Sequence, residues 1–463
     1  MIENILYTLT ETSLLAGIAF LFLKMFISKS QESSSFKIAQ MFVVFSLASA
    51  VLFYNKGILP QYFETSSFST LAYGISCILV LVWLLLASKW FLNTKEQSST
   101  YFCILALSAL LCFSLILKAA HFGVLLASLS FLSVIQYCLF RLSKQNEDLY
   151  HAARRYGLIS LIFLSLFGFS VFLLVGNLSY TQAAMYITEI SPLFKMLIIL
   201  GILCGIFFFL NIAPFHFWLT DTISPLVLPV ATYFNIVSQI ALWGLFFKLQ
   251  TTFFQSLNEN LQRVYFAFGV LSIILGIVGA NASRFLRKIF ASISLYQAGV
   301  ILLFISTLKE NLTSSCFIYL ELYLFVLLGV YICFYAFKIN GEYPVNLNLL
   351  KGVSSSKPYV SATFLFDCVT LLGLPPLTYF MMQFMLLTEI AQHPLIIYII
   401  LFGLLSLLPV YLKIIETIFF LKKEQNFDRV DFSFYIYLLI HTVLLIIFMF
   451  KPQILLLQMN ILN

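Results

Sequence analysis

Charged side chains are what this sequence has least of. Only 10% of its 463 residues are Asp, Glu, Lys or Arg, whereas 61% are hydrophobic, and the mean hydropathy is +1.00. A soluble domain carries roughly 25% charged residues, because its surface must face water. Too few polar side chains are present here to cover such a surface. The composition therefore excludes a soluble globular protein and predicts one whose solvent is lipid.

Cofactor and nucleic-acid motifs are also missing. The eight cysteines form no CxxC pair and lie in apolar runs, so they are interpreted as small buried hydrophobes. No GxGxxG or P-loop occurs, and the polar stretches 88–100, 141–156 and 338–359 are only loop-sized. We therefore expect this chain to bind no cofactor or metal. The scattered Lys and Arg form no basic patch, which excludes nucleic acid as a partner.

Long runs of apolar residues make up most of the sequence. A transmembrane helix needs about 20 such residues. This length predicts an all-α integral membrane protein of about fourteen transmembrane helices. The predicted spans are 5–26, 38–54, 68–88, 101–118, 121–142, 157–176, 194–213, 225–247, 264–281, 285–306, 315–337, 360–391, 394–421 and 433–450.

The loop charges alternate along the chain. Of the 26 Lys and Arg, 23 are assigned to loops or to the tail, among them Lys118, Arg141, Arg287 and Lys288 near span ends; Lys24, Lys195 and Lys413 are assigned to spans. Six follow even-numbered spans or lie in the tail, which leaves seventeen after odd-numbered spans. The positive-inside rule places the odd loops on the cytoplasmic or matrix side.

Two of the predicted spans are interrupted. The run FFFLNIAPFHFW places Pro214 within one, and TLLGLPPLTYF places Gly373, Pro375 and Pro376 within another. Proline removes a backbone donor and clashes with the preceding turn, so both helices should break there. The breaks lie 161 residues apart, from Pro214 to Pro375. Matching breaks are typical of transporters built from inverted repeats; ordinary proline kinks in a bundle are the alternative.

If the matching breaks mark two repeats, the chain has four predicted parts. Each repeat would contain five helices, with the break in its fourth helix, so that helices 7 and 12 are the broken ones. The parts are an N-terminal three-helix segment at 1–100, a first repeat at 101–249, a second repeat at 260–421 and a C-terminal helix at 422–463.

The segment NIAPFHFWLTDTISPLVLPVATYFNIVSQIALWGLFFKL at 211–249 resembles a known family. It is similar to the antiporter-like subunits of the proton-pumping NADH:ubiquinone oxidoreductase, respiratory complex I, which share ancestry with multi-subunit cation/proton antiporters. The histidine form of the motif favours the second of the three such subunits, chain 2. Stretches at 151–168, 284–306, 320–333, 371–387 and 409–420 also agree, so the resemblance covers about 120–420. The motif residues are Pro214, Phe215, His216, Trp218, Asp221, Pro229 and Val230.

The resemblance implies a core membrane-arm subunit that contributes to, or scaffolds, proton translocation coupled to quinone reduction. NADH, FMN, iron–sulfur clusters and ubiquinone would be bound by other subunits. The partners would be further membrane-arm subunits, antiporter-like ones among them, and membrane lipids. The implied location is the mitochondrial inner membrane. An organelle-encoded gene fits the 51 Phe and 24 Tyr, which are typical of an AT-rich genome.

The chain departs from this family where the family carries buried charges. A buried lysine with a depressed pKa can lose and regain a proton near neutral pH. None of the five aligned positions here can titrate, so the usual relay is broken. Pumping and pure scaffolding both remain open, and the alternative is a subunit of a cation/proton antiporter. The five positions are Ser130, Phe209, Gln239, Gln297 and Gln383.

A few ionisable residues remain inside the spans, where such groups are rare and usually functional. Glu321 and Asp367 are the candidates for a replacement proton site, unless each is paired with Lys413, a tyrosine or a backbone amide. His216, beside the first break, either relays protons or caps freed carbonyls. Lys413 could instead pair with Glu416, three residues away on the same helical face.

Overall fold

A computed structural model describes residues 9–27, 32–52, 63–94, 98–142, 147–174, 178–309, 312–423 and 425–451. Within these ranges the regular structure is helical. The first eight helices are α1 Leu9–Ile27, α2 Glu32–Leu52, α3 Ser67–Thr94, α4 Ser99–Lys118, α5 Phe122–Phe140, α6 Glu147–Leu173, α7 Tyr180–Glu189 and α8 Pro192–Phe209. The remaining ten are α9 Phe217–Thr222, α10 Leu228–Thr232, α11 Ser238–Thr252, α12 Asn258–Ala282, α13 Leu286–Ile305, α14 Leu312–Ala336, α15 Pro358–Leu371, α16 Thr378–Glu389, α17 Pro394–Ile415 and α18 Phe432–Phe450.

The predicted all-α membrane fold is confirmed. Among the described residues, twelve helical stretches are long and apolar enough to cross a membrane. The other two predicted spans correspond to α1 and to the pair α15 and α16, which divide the predicted span 360–391. A ten-residue helix, α7, lies where we predicted a loop, and its Ser179 forms a capping box with Gln182.

The helices form two compact units. The first unit comprises Met1–Leu210 and Tyr233–Leu257, and the second comprises Asn211–Thr232 and Asn258–Asn463. The chain therefore enters the second unit for α9 and α10 and then returns through a π-helical turn, Tyr233–Val237, to α11. The boundaries of the predicted repeats stay predictions.

Apolar residues lie both inside each unit and on its surface. In the first unit, α11 is buried from Ser238 to Gln250, and most of α4 is buried as well. In contrast, α1, α6 and α18 leave large apolar side chains exposed, such as Leu23, Phe172 and Ile440. Apolar surface of this kind matches hydrocarbon rather than water.

Small residues allow α12 and α13 to approach closely. A methyl group added at Gly276 would lie 2.7 Å from the backbone nitrogen of Tyr296 and 2.8 Å from the carbonyl oxygen of Ser292. Gly269 and Gly299 face each other in the same contact. Backbones packed this closely are typical of membrane helix pairs, which associate by van der Waals contact.

The two predicted breaks are confirmed and share one local conformation. Helix α8 ends at Phe209, and Asn211 then adopts a left-handed φ of 58°. Helix α15 ends at Leu371, and Gly373 then adopts a φ of 65°. In both, the intervening residue donates its backbone N–H to a carbonyl oxygen of the preceding helix. Leu210 donates to Ile206 at 3.0 Å, and Leu372 donates to Cys368 at 3.1 Å.

The register between the breaks corrects the predicted offset. The left-handed residues, Asn211 and Gly373, lie 373 − 211 = 162 residues apart, not 161. Pro214 therefore corresponds to Pro376 rather than to Pro375. The peptide bonds before Pro214 and Pro376 are both cis. Sequence alone could not choose between adjacent prolines, because both break a helix equally well.

Candidate functional site

A carboxylate and an imidazole are buried together in the second unit. Asp367 Oδ1 lies 3.1 Å from His441 Nε2, and only 0% and 3% of the two residues are exposed. Asp367 lies four residues before the end of α15, just ahead of the second break. His441 is the tenth of nineteen residues in α18, at the middle of that helix. The pair is thus far from either end of a membrane-length helix.

Helix α14 provides the space for this pair. A methyl group at Gly329 would overlap His441 Nε2 and Asp367 Oδ2, so the two side chains occupy the space that a larger residue would take. One turn earlier, the ring of Phe325 packs on the imidazole at 4.7 Å between centroids. The notch at Gly329 and the ring of Phe325 therefore fix where the two polar side chains meet.

The pair has unused capacity for hydrogen bonds. Within the part of the chain that the structure describes, neither Asp367 Oδ2 nor His441 Nδ1 has a partner. Buried polar atoms are normally satisfied, and exceptions need an explanation such as a functional role or a water molecule. Histidine is the side chain whose charge ordinarily changes near neutral pH. An aspartate bonded to it can share or exchange one proton.

Glu321 lies on the same face of α14 as Phe325 and Gly329, because the three are spaced by four residues. Its Oε1 is buried and makes no hydrogen bond to the described residues. Eight residues, or about two turns, separate it from the notch at Gly329. Glu321 and the Asp367 pair are therefore two separate acidic positions along one helical face.

The other two predicted ionisable residues lie elsewhere. Lys413 is exposed on α17, and the structure shows it paired with neither Asp367 nor Glu416. His216 is half-buried and immediately precedes α9, next to Pro214. Their roles in proton transfer stay predictions, as do those of Glu321 and Asp367.

Sequence reasoning missed His441. It lies in the C-terminal helix, outside both predicted repeats, and we did not count it among the buried ionisable residues. The available signal was a histidine in the middle of the apolar run YLLIHTVLL. Its aspartate partner, 74 residues earlier, cannot be identified from helical spacing.

Two of the five uncharged family positions lie in the second unit. Gln297 accepts a hydrogen bond from Tyr319 at 2.7 Å, and Tyr379 donates to the Tyr319 hydroxyl. Gln383 points at the second break, where its Oε1 lies 2.8 Å from the position of a methyl group added at Gly373. Gln297 thus keeps a polar contact without a charge, whereas Gln383 Nε2 is buried without a hydrogen-bond partner among the described residues.

The other three positions lie in the first unit, and their surroundings differ. Phe209 packs edge-on against Phe208 at 5.2 Å. Gln239 donates to the carbonyl oxygen of Phe234 at 3.0 Å, and Ser130 donates to that of Leu126 at 2.7 Å. Ser130 therefore bonds within α5, and Gln239 bonds to the π-helical turn that precedes α11.

Aromatic rings fill the interior around these residues. Tyr156 stacks with Phe140 at 5.0 Å and with Phe208 at 6.0 Å, and Phe140 contacts Phe234 at 4.8 Å. The Tyr156 hydroxyl donates a hydrogen bond to Gln136 Oε1 at 2.5 Å. The interior of the first unit near Phe208 is therefore lined by packed aromatic rings, with the Tyr156–Gln136 hydrogen bond among them.

Two buried lysines of the first unit, Lys118 and Lys248, lie at the end of α4. Lys118 lies 2.7 Å from Glu11 and 2.9 Å from the hydroxyl of Thr10, both on α1. Lys248 donates to the carbonyl oxygens of Leu117 and Ala119, at 3.0 and 2.7 Å. Cations at the carboxyl end of a helix satisfy its free carbonyls. These contacts fasten α1 and α11 to α4.

No group of three or more His, Cys, Asp or Glu suited to a metal ion occurs in the described ranges. The eight cysteines, all described, are free thiols. The expectation that this chain binds no cofactor stays a prediction.

Residues 123–409 match the family model described as "NADH:quinone oxidoreductase/Mrp antiporter, TM". The chain is 25% identical over 301 residues to NAD(P)H-quinone oxidoreductase subunit 2 of Gloeobacter violaceus, covering 64% of this chain and 58% of that protein. It is 28% identical over 233 residues to NADH-quinone oxidoreductase subunit N of Pelagibacter ubique, covering 50% and 49%. The matched region thus spans about half to three fifths of these relatives.

Solved structures share the fold. A chain of respiratory complex I from Thermus thermophilus superposes with a TM-score of 0.81 at 20% identity, covering 96% of this chain and 97% of that one. A chain of an archaeal membrane-bound sulfane sulfur reductase gives 0.85 at 17% identity, covering 99% and 96%. The Mrp complex of Dietzia gives 0.78 at 17% identity, covering 91% and 81%. All three are multi-subunit membrane complexes.

Proposed function

This chain belongs to the NADH:quinone oxidoreductase/Mrp antiporter family of transmembrane subunits, and on that premise we propose that it is a membrane-arm subunit of an NADH:ubiquinone oxidoreductase. In this proposal its second unit takes part in proton translocation coupled to quinone reduction. The buried pair of Asp367 and His441 is the observation that favours proton transfer over scaffolding alone.

The chemistry of that pair suits proton transfer. Isolated charges in a membrane are costly, so buried ionisable groups pair with one another and mark ion or proton pathways. Asp367 and His441 share one short contact and keep one unused polar atom each. A proton arriving at either free atom converts a neutral pair into a charged one, or the reverse, without moving a helix.

The first unit has a different role in this proposal. Its aligned family positions are held by Phe209, Gln239 and Ser130, and aromatic rings fill the space near its break. We therefore assign scaffolding to the first unit and proton transfer to the second. This division replaces the choice between a pumping and a silent subunit.

The remaining parts of the proposal concern the assembly. NADH, FMN, iron–sulfur clusters and ubiquinone would be bound by other subunits, and further antiporter-like subunits would be neighbours. The proposed membrane is the mitochondrial inner membrane, with an organelle-encoded gene, which the high Phe and Tyr content supports. Reading the gene from purified organellar DNA tests the last point, and its absence there would contradict it.

An affinity tag on this chain tests its assembly. After mild detergent extraction, we expect the tag to retain NADH:ubiquinone reductase activity and the other membrane-arm subunits. The same tag with Asp367→Asn should retain both, because the amide keeps a hydrogen bond to His441. Recovery of the chain without any quinone-reducing activity would overturn the proposal.

A subunit of a multi-subunit cation/proton antiporter is the second candidate, which the fold similarity to the Mrp complex favours. The two candidate functions differ in whether a sodium gradient alone drives proton movement. An antiporter would acidify or alkalinise vesicles in response to a sodium gradient without any electron donor. We expect proton movement only when NADH is oxidised.

A further inference from the structure

Helix α14 carries a stripe of hydroxyl groups on the face opposite Glu321. Ser315, Tyr319 and Tyr323 are spaced by four residues, so their side chains lie along one face. Glu321 lies two residues from Tyr319 and Tyr323, or about 200° around the helix. The stripe faces α13 and α16, as the contacts below show, and it is separate from the Asp367–His441 pair.

The centre of the stripe is a directed chain of hydrogen bonds. Tyr379, on α16, donates to the hydroxyl of Tyr319, which donates to Gln297 Oε1 at 2.7 Å. The two tyrosine rings stack with centroids 4.9 Å apart. All three side chains are buried. Stacking and burial hold both hydroxyls in line.

The stripe reaches an acidic residue at one end. Ser315 donates to Glu389 Oε1 at 3.4 Å, and Glu389 is the half-buried last residue of α16. Lys309 donates to the backbone carbonyl of Glu389. A half-exposed carboxylate at a helix end can take up a proton from the adjoining water and release it again.

At the other end the stripe continues into the unit. Tyr323 and Ser294 share a hydrogen bond of 2.7 Å, and the Tyr323 ring lies 6.4 Å from that of Tyr379. We call this set the hydroxyl column. Its members are Glu389, Ser315, Tyr319, Tyr379, Tyr323 and Ser294.

Hydroxyl groups can pass protons without storing charge. Each has one donor hydrogen and two acceptor lone pairs. A proton accepted on one lone pair can be matched by release of the group's own proton along the next hydrogen bond. Every hydroxyl then holds the same number of protons as before, and one proton has advanced. Gln297 contributes an acceptor that orients the Tyr319 hydroxyl.

We propose, on the basis of the proton transfer proposed above, that the hydroxyl column, together with bridging water, conducts protons between the Glu389 end of α16 and the interior of the second unit. Water carries the proton between Ser315 and Tyr319 and between Tyr379 and Tyr323, and the Tyr319 hydroxyl turns away from Gln297 when it releases its own proton to the next acceptor. In this proposal, neutral hydroxyl groups near Gln297 and Gln383 take the place of the titratable side chains that the family carries at those two positions. Tyr319 and Tyr379 are the conducting residues, and Gln297 is a positioning residue.

Phenylalanine substitutions test the column in the intact complex. Tyr319→Phe and Tyr379→Phe remove one hydroxyl each and keep the stacked rings. The complex is reconstituted into vesicles with a pH-sensitive dye inside, and protons moved per NADH oxidised are counted. We expect fewer protons per NADH in both variants, with unchanged NADH oxidation when an uncoupler is present.

Tyr296→Phe is the matched control. Tyr296 is equally buried in the same unit, and its hydroxyl donates to the carbonyl oxygen of Ile400 at 3.0 Å, outside the column. It should keep the full proton count. A full count in Tyr319→Phe and Tyr379→Phe, or an equal loss in Tyr296→Phe, overturns the hydroxyl column.

Ser315→Ala provides a second test if the tyrosine variants assemble poorly. It removes the hydroxyl that meets Glu389 and changes little volume, so a reduced count supports the column and a full count contradicts it. Asp367→Asn separates the two proposals. A loss in Asp367→Asn without a loss in the column variants rejects the column alone, whereas full counts in all variants reject proton transfer by this subunit.

Discussion

At the scale of single residues, the Asp367–His441 pair depends on Gly329, which has no Cβ. Gly329 leaves room for His441 and Asp367 to meet beside α14, and Phe325 packs on the imidazole from one turn away. The polar contact is therefore set by packing rather than by the local sequence around either polar residue.

Gly329→Ala should separate His441 from Asp367. Its methyl group would overlap both polar side chains, and overpacking of this kind costs roughly 1–3 kcal/mol. We expect the variant complex to assemble, to melt at a lower temperature and to move fewer protons per NADH. Thermal unfolding in detergent and the vesicle assay measure the two effects.

Gly74→Ala is the control for that substitution. A methyl group there would meet only Leu47, at an ordinary contact distance of 3.8 Å. Its melting temperature should be unchanged or slightly higher, because alanine favours a helix over glycine, and its proton count should equal that of the unchanged protein. If Gly329→Ala also behaves normally, the notch has no role in positioning the pair.

Lys357 provides a pH-dependent prediction outside the membrane-spanning helices. Its ammonium donates to the carbonyl oxygen of Ala336 at 2.8 Å and lies over the ring of Phe427. Burial lowers the pKa of Lys357 from 10.5 to about 8, although the charge of Asp428 acts in the opposite direction. Between these two values the unfolded chain holds the proton and the folded chain releases it.

Stability should therefore rise with pH between about 8 and 10.5. The measurement is the melting temperature of the detergent-solubilised protein across that range. Lys357→Met keeps the apolar stem and removes the titrating group, so its melting temperature should rise less. An identical pH profile in the two proteins would contradict the assignment to Lys357.

At the scale of helices, the two breaks are equivalent turns built from different residues. Asn211 and Gly373 both take a left-handed conformation one residue beyond the capped helix end. Asparagine and glycine are the residues that tolerate this conformation at least cost. The sequence predicted where the helices break, because proline identifies a break directly. It could not predict the register, which depends on the left-handed residue.

Exchanging these residues tests that equivalence. Gly373→Ala should destabilise the protein by about 1–2 kcal/mol, since a Cβ is strained in the left-handed region and would lie 2.8 Å from Gln383 Oε1. Asn211→Gly should be neutral or slightly stabilising at that backbone. Melting temperatures of the two variants, measured side by side, should move in these different directions.

Other elements show where sequence reasoning ended. Apolar run lengths predicted the long helices, because the membrane imposes that length. Helix α7 was missed, since its ten residues fall below the length of a span. The approach of α15 to α18 was also missed, because contacts between distant helices leave no trace in a single sequence.

At the scale of the whole molecule, the two units differ in chemistry. The first unit fills the space near its break with aromatic rings and uses Lys118 and Lys248 to fasten helices. The second holds the Asp367–His441 pair and the hydroxyl column. The lost family charges left pumping and pure scaffolding both open, and the structure places the Asp367–His441 pair and the hydroxyl column in the same unit. We therefore expect a single proton route rather than two.

The number of protons moved per NADH by the reconstituted complex tests this division most directly. Three proteins are compared: the unchanged complex, Asp367→Asn in the second unit and Gln239→Leu in the first. We predict a reduced count for Asp367→Asn and a full count for Gln239→Leu, with equal quinone reduction in all three when uncoupled. A full count for Asp367→Asn, or a loss confined to Gln239→Leu, would contradict the account.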